Sequence, residues 1–166
     1  HYTGQRGEHY WVTETYTTTE NGKTVTRTRQ VQRTRWYPAS GTVFNTFDDV
    51  LVLGSRSLPK KYADKLEPWD LGALTSFKQE FLAGFRAERY QVELDDGFQE
   101  AAEIMDGHIR NTIRADIGGD VQQIHTVDTN YLKITFKHIL LPIWISAYRY
   151  RQKVFRILVN ARTGEV

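Results

Sequence analysis

At 166 residues, with 40% hydrophobic and 13% aromatic side chains, the chain is long and apolar enough to bury a core, which excludes a disordered tail. A formal net charge of +2 gives no bulk electrostatic case for a nucleic-acid partner. Cysteine is absent, which excludes disulfides and thiolate metal ligands and suits the cytoplasm.

From Tyr10 to Thr19 the sequence alternates aromatic, valine and threonine residues, a strand composition. Asn21-Gly22 follows, and this dipeptide supplies the positive φ that both centres of a type I′ turn require. The return strand runs to about Trp36, giving a hairpin over 9–36. Centring the turn on Asn21-Gly22 sets Tyr16 opposite Arg27, Glu14 opposite Arg29, Val12 opposite Val31, Tyr10 opposite Arg33, and Glu8 near Arg35. The other face carries Trp11 and a row of Thr and Gln, so the far end of this polar ribbon projects into solvent. Residues 37–41 read as a turn, 42–47 as a strand, Asp48-Asp49 as a break and 50–53 as a short buried strand.

The middle, 59–117, reads as helical. Pro59 opens a short helix over 60–66, and 67–70 is a turn. Phe77, Phe81 and Phe85 recur every four residues, which predicts one helical face. Asp96 and Gln99 make a capping-box pattern at the start of a longer helix. Its stripe is Phe98, Ala101, Ala102, Met105, Ile109, Ile113 and Ile117, and Gly118-Gly119 stops it. Met105, Ile109 and Ile113 should face a sheet.

The C-terminal part, 121–166, reads as sheet, with strands at 122–126 and 131–138 leading into a hairpin over 140–160. Its longest apolar run, 139–147, falls far short of the ~20 residues of a membrane helix. A two-residue turn at Arg151-Gln152 pairs Tyr148 with Phe155, Ser146 with Ile157 and Trp144 with Val159. Both faces of this hairpin are apolar, which predicts a place in the middle of a sheet. Trp144, Tyr148, Phe155, Ile157 and Val159 should then be buried, with Trp144→Ala costing about 3–5 kcal/mol. Strands, then helices, then strands predict one α+β domain over 1–166, a mainly antiparallel twisted sheet with the helical middle packed on it. The start at His1 and the end at Val166 read as cuts in a longer protein.

Arg35-Trp-Tyr-Pro-Ala-Ser-Gly41, Phe47-Asp-Asp-Val-Leu-Val52, Gly84-Phe-Arg-Ala-Glu-Arg-Tyr90, Leu141-Pro-Ile-Trp-Ile-Ser-Ala-Tyr148 and Leu158-Val-Asn-Ala-Arg-Thr-Gly164 carry a resemblance. The chain is similar to a family of uncharacterised bacterial proteins with a zinc ribbon ahead of this region, often described as primosomal-helicase-like or TFIIB-type zinc ribbon proteins. The resemblance implies zinc in an upstream ribbon outside this chain, and no active site within it. Helicase chemistry has no support here, since the chain has no Gly-x-x-x-x-Gly-Lys-Ser/Thr phosphate loop. Residues 153–166 also resemble the end of a PepSY-type strand pair, with a turn built from Asn160, Thr163 and Gly164.

Three constellations could carry chemistry. Arg27, Arg29, Arg33 and Arg35 share a strand face, with Lys23 at the tip and Trp36 at the end, a stripe that can follow a phosphate backbone. Cross-strand pairing with Glu8, Glu14, Tyr10 and Tyr16 is the favoured reading of the same residues. His125 and Asp128 could form a metal site or the acid–base pair of a hydrolase, though a strand-end His near a turn Asp is the commoner meaning of so loose a spacing. Among His1, His9, His108, His125 and His138 there is no HExxH, and no Gly-x-Ser-x-Gly occurs. Adjacent carboxylates such as Asp95-Asp96 cannot share a proton on a strand and read as a helix cap. The expectation is a non-catalytic binding or scaffolding domain of a bacterial cytoplasmic protein, with a protein partner and no metal of its own. Nucleic-acid contact through the arginine strand is the alternative, and a hydrolase the second.

Overall fold

The computed structural model describes residues 1–20 and 22–166; Asn21, one half of the expected turn, lies outside the described residues. The chain is an α+β protein in which every strand pairing is antiparallel. Its elements are β1 (Tyr2–Glu20), β2 (Lys23–Gly41), the short helix α1 (Lys60–Ala63), the long helix α2 (Leu94–Ile117), β3 (Val121–Val127), β4 (Ile143–Tyr150) and β5 (Lys153–Asn160). Two compact units emerge: the first comprises His1–Thr46 and Met105–Lys133, the second Phe47–Ile104 and Ile134–Val166.

The first unit holds a three-stranded sheet in the order β2-β1-β3. The hairpin is longer than its expected 9–36, because residues 37–41, expected as a turn, continue β2. The apolar spacing of four in α2 buries Met105, Ile109, Ile113 and Ile117. Ile117 lies over Gly4, where an added Cβ would stand 3.2 Å from its Cδ1. Gly7 is equally constrained, since a Cβ there would meet Val121, Thr34 and Trp36 within 3 Å. The helix stops at Gly118 and Gly119, with φ of +66° and +77°. Asp120 then secures β1: its N–H donates to the Gly7 carbonyl, and its carboxylate accepts the His9 N–H at 2.6 Å. Asp95 and Asp96 sit inside the first turn of α2, not ahead of it, where they favour the positive end of the helix dipole.

Gly107 lies inside α2 without breaking it, and beyond its chain neighbours and the helix's own backbone nothing stands within 4 Å of the place a Cβ would take. Gly107→Ala should therefore raise stability by about 0.5–1 kcal/mol, through helix propensity alone. A urea titration checks this, and a loss of stability would show a constraint at that position that the geometry lacks.

Tyr2 is buried under the same helix, and its hydroxyl donates to Asp116 at 2.6 Å. That hydrogen bond, then burial, then the Asp116 charge push the phenol from 10.0 up to about 12. A raised folded-state pKa favours the protonated form, so this contribution is complete below pH 10 and is lost as pH rises through about 12. Tyr2→Phe should be less stable at neutral pH and should flatten the alkaline loss between those limits. An unchanged alkaline profile would assign the loss to another group.

In the second unit α1 forms as expected and continues as a 3-10 turn over Asp64–Leu66. Other expectations are corrected. The Phe77, Phe81, Phe85 repeat forms only a 3-10 turn over Gln79–Leu82, and all three rings are exposed. Gly84, with φ of +84°, ends it, and so short a repeat does not repay helix nucleation. Among the described residues, 42–47, 50–53 and 131–138 form no strand. Asp49 and Lys133 have positive φ, which breaks an extended run.

The β4–β5 register is the expected one, Tyr148 with Phe155, Ser146 with Ile157 and Trp144 with Val159. Arg151 and Gln152 both take positive φ, +44° and +63°, so the two-residue turn forms without Gly or Asn. Its burial is not as expected. The hairpin is a two-stranded sheet, and Trp144 is 62% exposed. Burial is confined to its base, at Leu158 and Asn160. Residues 121–166 thus do not make one sheet, since β3 joins the first unit. Trp144→Ala should accordingly cost under about 1 kcal/mol in urea unfolding, as for surface positions, rather than the cost of a core truncation.

Candidate functional site

The strongest constellation is the solvated ribbon of β1 and β2. The expected pairs all occur: Tyr16 with Arg27, Glu14 with Arg29, Val12 with Val31, Tyr10 with Arg33 and Glu8 with Arg35. β3 pairs only with Tyr2 to Gly7, so from His9 outward the two strands have no third neighbour among the described residues. Thr, Val and Tyr hold this arm extended.

The expected direct pair of Glu14 with Arg29 forms, and diagonal contacts join it. Glu14 takes the guanidinium of Arg29 at 3.2 Å and that of Arg33 at 2.5 Å. Arg35 lies over Tyr10 at 5.1 Å, and Arg29 over Tyr16 at 5.6 Å. Strand twist and long side chains bring diagonal neighbours within reach. Hydrogen bonds from Arg33, then Arg29, hold the Glu14 carboxyl below its usual range, and Glu14 raises Arg33 in turn. Among the described side chains of this face, Arg6, Lys23, Arg27, Arg29, Arg33 and Arg35 outnumber Glu8 and Glu14.

Trp36 does not extend the arginine row. Adjacent residues of a strand point to opposite faces, and Trp36 faces Gly7 on the side of Thr34. That second face carries no Asp, Glu, Lys or Arg: His9, Trp11 and the threonines of β1 face Thr34, Gln32, Gln30 and the threonines of β2. Gln30 donates to Thr13 at 3.0 Å, and the His9 ring meets the Thr34 hydroxyl at 3.0 Å.

His125 occupies the bulge where β3 shifts register against Thr3 and Gly4. Asp128 follows the strand, and its backbone bonds the first residue. No hydrogen bond or ion pair joins the His125 ring to the Asp128 carboxylate. No group of three or more His, Asp or Glu among the described residues is arranged to hold a metal.

Sequence reasoning passed over a polar cluster in the second unit. Ser55 and Ser57 both donate to the Glu88 carboxylate, Ser57 at 2.7 Å, and these bonds, Ser55 first, lower its pKa. Ser55 also lines an open cavity of about 530 Å³ with Arg56, Lys60, Asp96 and Glu100, across which Lys60 bridges Glu100 at 3.0 Å. Both serine hydroxyls donate to the one carboxylate, and no histidine lines the cavity. The nearest signal in sequence was the Ser55-Arg-Ser57 run, which is too common to single out.

No protein-family profile matches the chain, and no solved structure matches it. It is similar to the uncharacterized protein YdjG of Bacillus subtilis (strain 168), with 29% identity over 121 residues, covering 69% of this chain and 34% of that protein. The chain thus spans about a third of the length of the curated relative it matches. No helix is long and apolar enough to cross a membrane among the described residues.

Proposed function

We propose that this chain is a non-catalytic binding domain for a protein partner, with the β1–β2 arm as its contact surface. The arm itself carries this reading. It extends past the Gly7–Trp36 pair with no third strand among the described residues and both faces exposed, yet Glu14 and two tyrosine–arginine stacks order its charged face. Two-stranded ribbons are marginal by themselves in water, so so long an arm serves recognition better than core stability. The motif resemblance supports a zinc ribbon ahead of this region and a bacterial cytoplasmic setting.

The test compares the chain with a variant in which 11–32 is replaced by a tight turn, each used to capture proteins from Bacillus subtilis extract. A protein retained by the full arm and lost with the short one is expected. Identical captures would sink the reading.

Nucleic-acid contact is the second reading, favoured by the 62% and 56% exposure of the Arg29 and Arg33 side chains. Phosphate contacts weaken steeply with salt. A filter-binding titration at two salt concentrations should show no retention of DNA or RNA. Salt-sensitive retention, flattened by replacing Arg27 and Arg33 together, would favour nucleic acid instead.

A further inference from the structure

We propose that the outer edge of β2 receives an extended acidic segment of a partner polypeptide as an added antiparallel strand. This rests on the protein-binding reading and names the chemistry of the partner.

The strand order puts β2 at the edge for its whole length, Lys23–Gly41. Among the described residues no backbone hydrogen bond leaves that edge for another element. Such an edge is a row of unpaired N–H and C=O groups, a template for strand addition. Proteins blunt these edges with proline, and here Pro38 does so at one end, opposite Gln5. Proline is accommodated in a sheet where its missing N–H faces away from the neighbouring strand. Orientation alternates with a period of two, so Thr34, Gln32, Gln30, Thr28 and Thr26 share the orientation of Pro38 and direct their amides outward. The open edge is therefore the stretch from Thr34 back to Thr26.

Charge selects the occupant. An added strand would lie beside Arg27, Arg29, Arg33 and Arg35 on one face and the Thr–Gln row on the other. β1 shows what suits that row: one carboxylate, Glu14, bridges Arg29 and Arg33 from the inner side and leaves both side chains more than half exposed. An acidic strand on the outer side meets the same guanidinium groups. A second copy of β2 does not fit. Antiparallel pairing centred on Gln30 sets Arg27 against Arg33, centring on Arg29 sets that residue against itself, and centring on Val31 sets Arg29 against Arg33. Like charges directly opposite destabilise a sheet.

The probe is a fluorescent peptide alternating glutamate and threonine, read by anisotropy. Controls are its lysine-for-glutamate counterpart and a single-stranded DNA of equal length. The acidic peptide should bind, and the lysine peptide should not. Thr28→Pro removes one outward N–H while leaving the β1 ladder intact, and should weaken binding at least about tenfold with unchanged circular dichroism. If that variant misfolds, hydrogen exchange on the wild type decides. Peptide should then slow the amides of Thr26, Thr28, Gln30 and Gln32 but not those of Arg27 and Arg29. Equal binding of the lysine peptide, preference for DNA, undiminished binding by a folded Thr28→Pro, unchanged exchange, or self-association through the arm would each overturn the proposal. Peptide failure with arm-dependent protein capture retained would remove strand addition and leave the binding-domain reading standing.

Discussion

Asn160→Leu is expected to destabilise the second unit by about 3–5 kcal/mol, an effect out of proportion to an isosteric change. Asn160 is fully buried at the end of β5. Its amide donates to the Leu66 carbonyl at 2.8 Å and to that of Pro68 at 3.3 Å. Its side-chain oxygen accepts the N–H groups of Arg162 at 2.9 Å and Thr163 at 3.2 Å. One side chain thus satisfies polar backbone on two segments far apart in sequence. Leucine fills the volume but leaves those groups without partners, and an unsatisfied buried group costs about 1–3 kcal/mol. The measurement is urea unfolding followed by Trp69 and Trp144 fluorescence, with amide exchange across β4 and β5 to localise the loss. An unchanged midpoint would show that water replaces the side chain without penalty.

Ile113→Ala should cost about 2–5 kcal/mol, through lost burial and the cavity left behind. Ile113 is 1% exposed at the centre of the helix stripe, between Ile109 and Ile117. Gly4 and Gly7 let the sheet approach closely, leaving little room for relaxation to refill the space. Ile104, 40% exposed on the same helix, is the control, and its truncation should cost under about 1 kcal/mol. Urea unfolding read at Trp36, which packs beside Gly7, separates the two. Equal losses would mean that helix propensity, and not packing on the sheet, dominates in α2.

The two hairpin registers and the α2 stripe were legible because each depends on a local period. Two-residue alternation fixes which side chains share a strand face, and a spacing of four fixes a helical face. Tyr10 with Arg33 and Tyr148 with Phe155 follow from locating a turn and counting outward. Trp36, expected at the end of the arginine stripe, lies on the other face, because neighbours such as Arg35 and Trp36 point to opposite sides. That Arg29 meets Glu14 follows from the count; that Arg33 does so too could not be counted, because twist and side-chain length decide among diagonal neighbours. Residues 131–138 have the alternation of a strand but no strand pairing among the described residues, and a strand exists only with a paired strand. Asn160 was visible as a turn residue, but its burial depends on Leu66 and Pro68, which only folding brings beside it.

By itself the sequence determined the α+β class, the pairing within both hairpins, and the length and buried face of α2, since these rest on periodicity along one or two adjacent segments. The tertiary structure decided which faces are covered. It left the β4–β5 hairpin exposed along most of its length, placed β3 against β1, and ended that third strand at Gly7, so that the arginine ribbon stands free as an edge. Coverage depends on contacts between residues far apart in the chain, and no local pattern encodes where a third strand will stop.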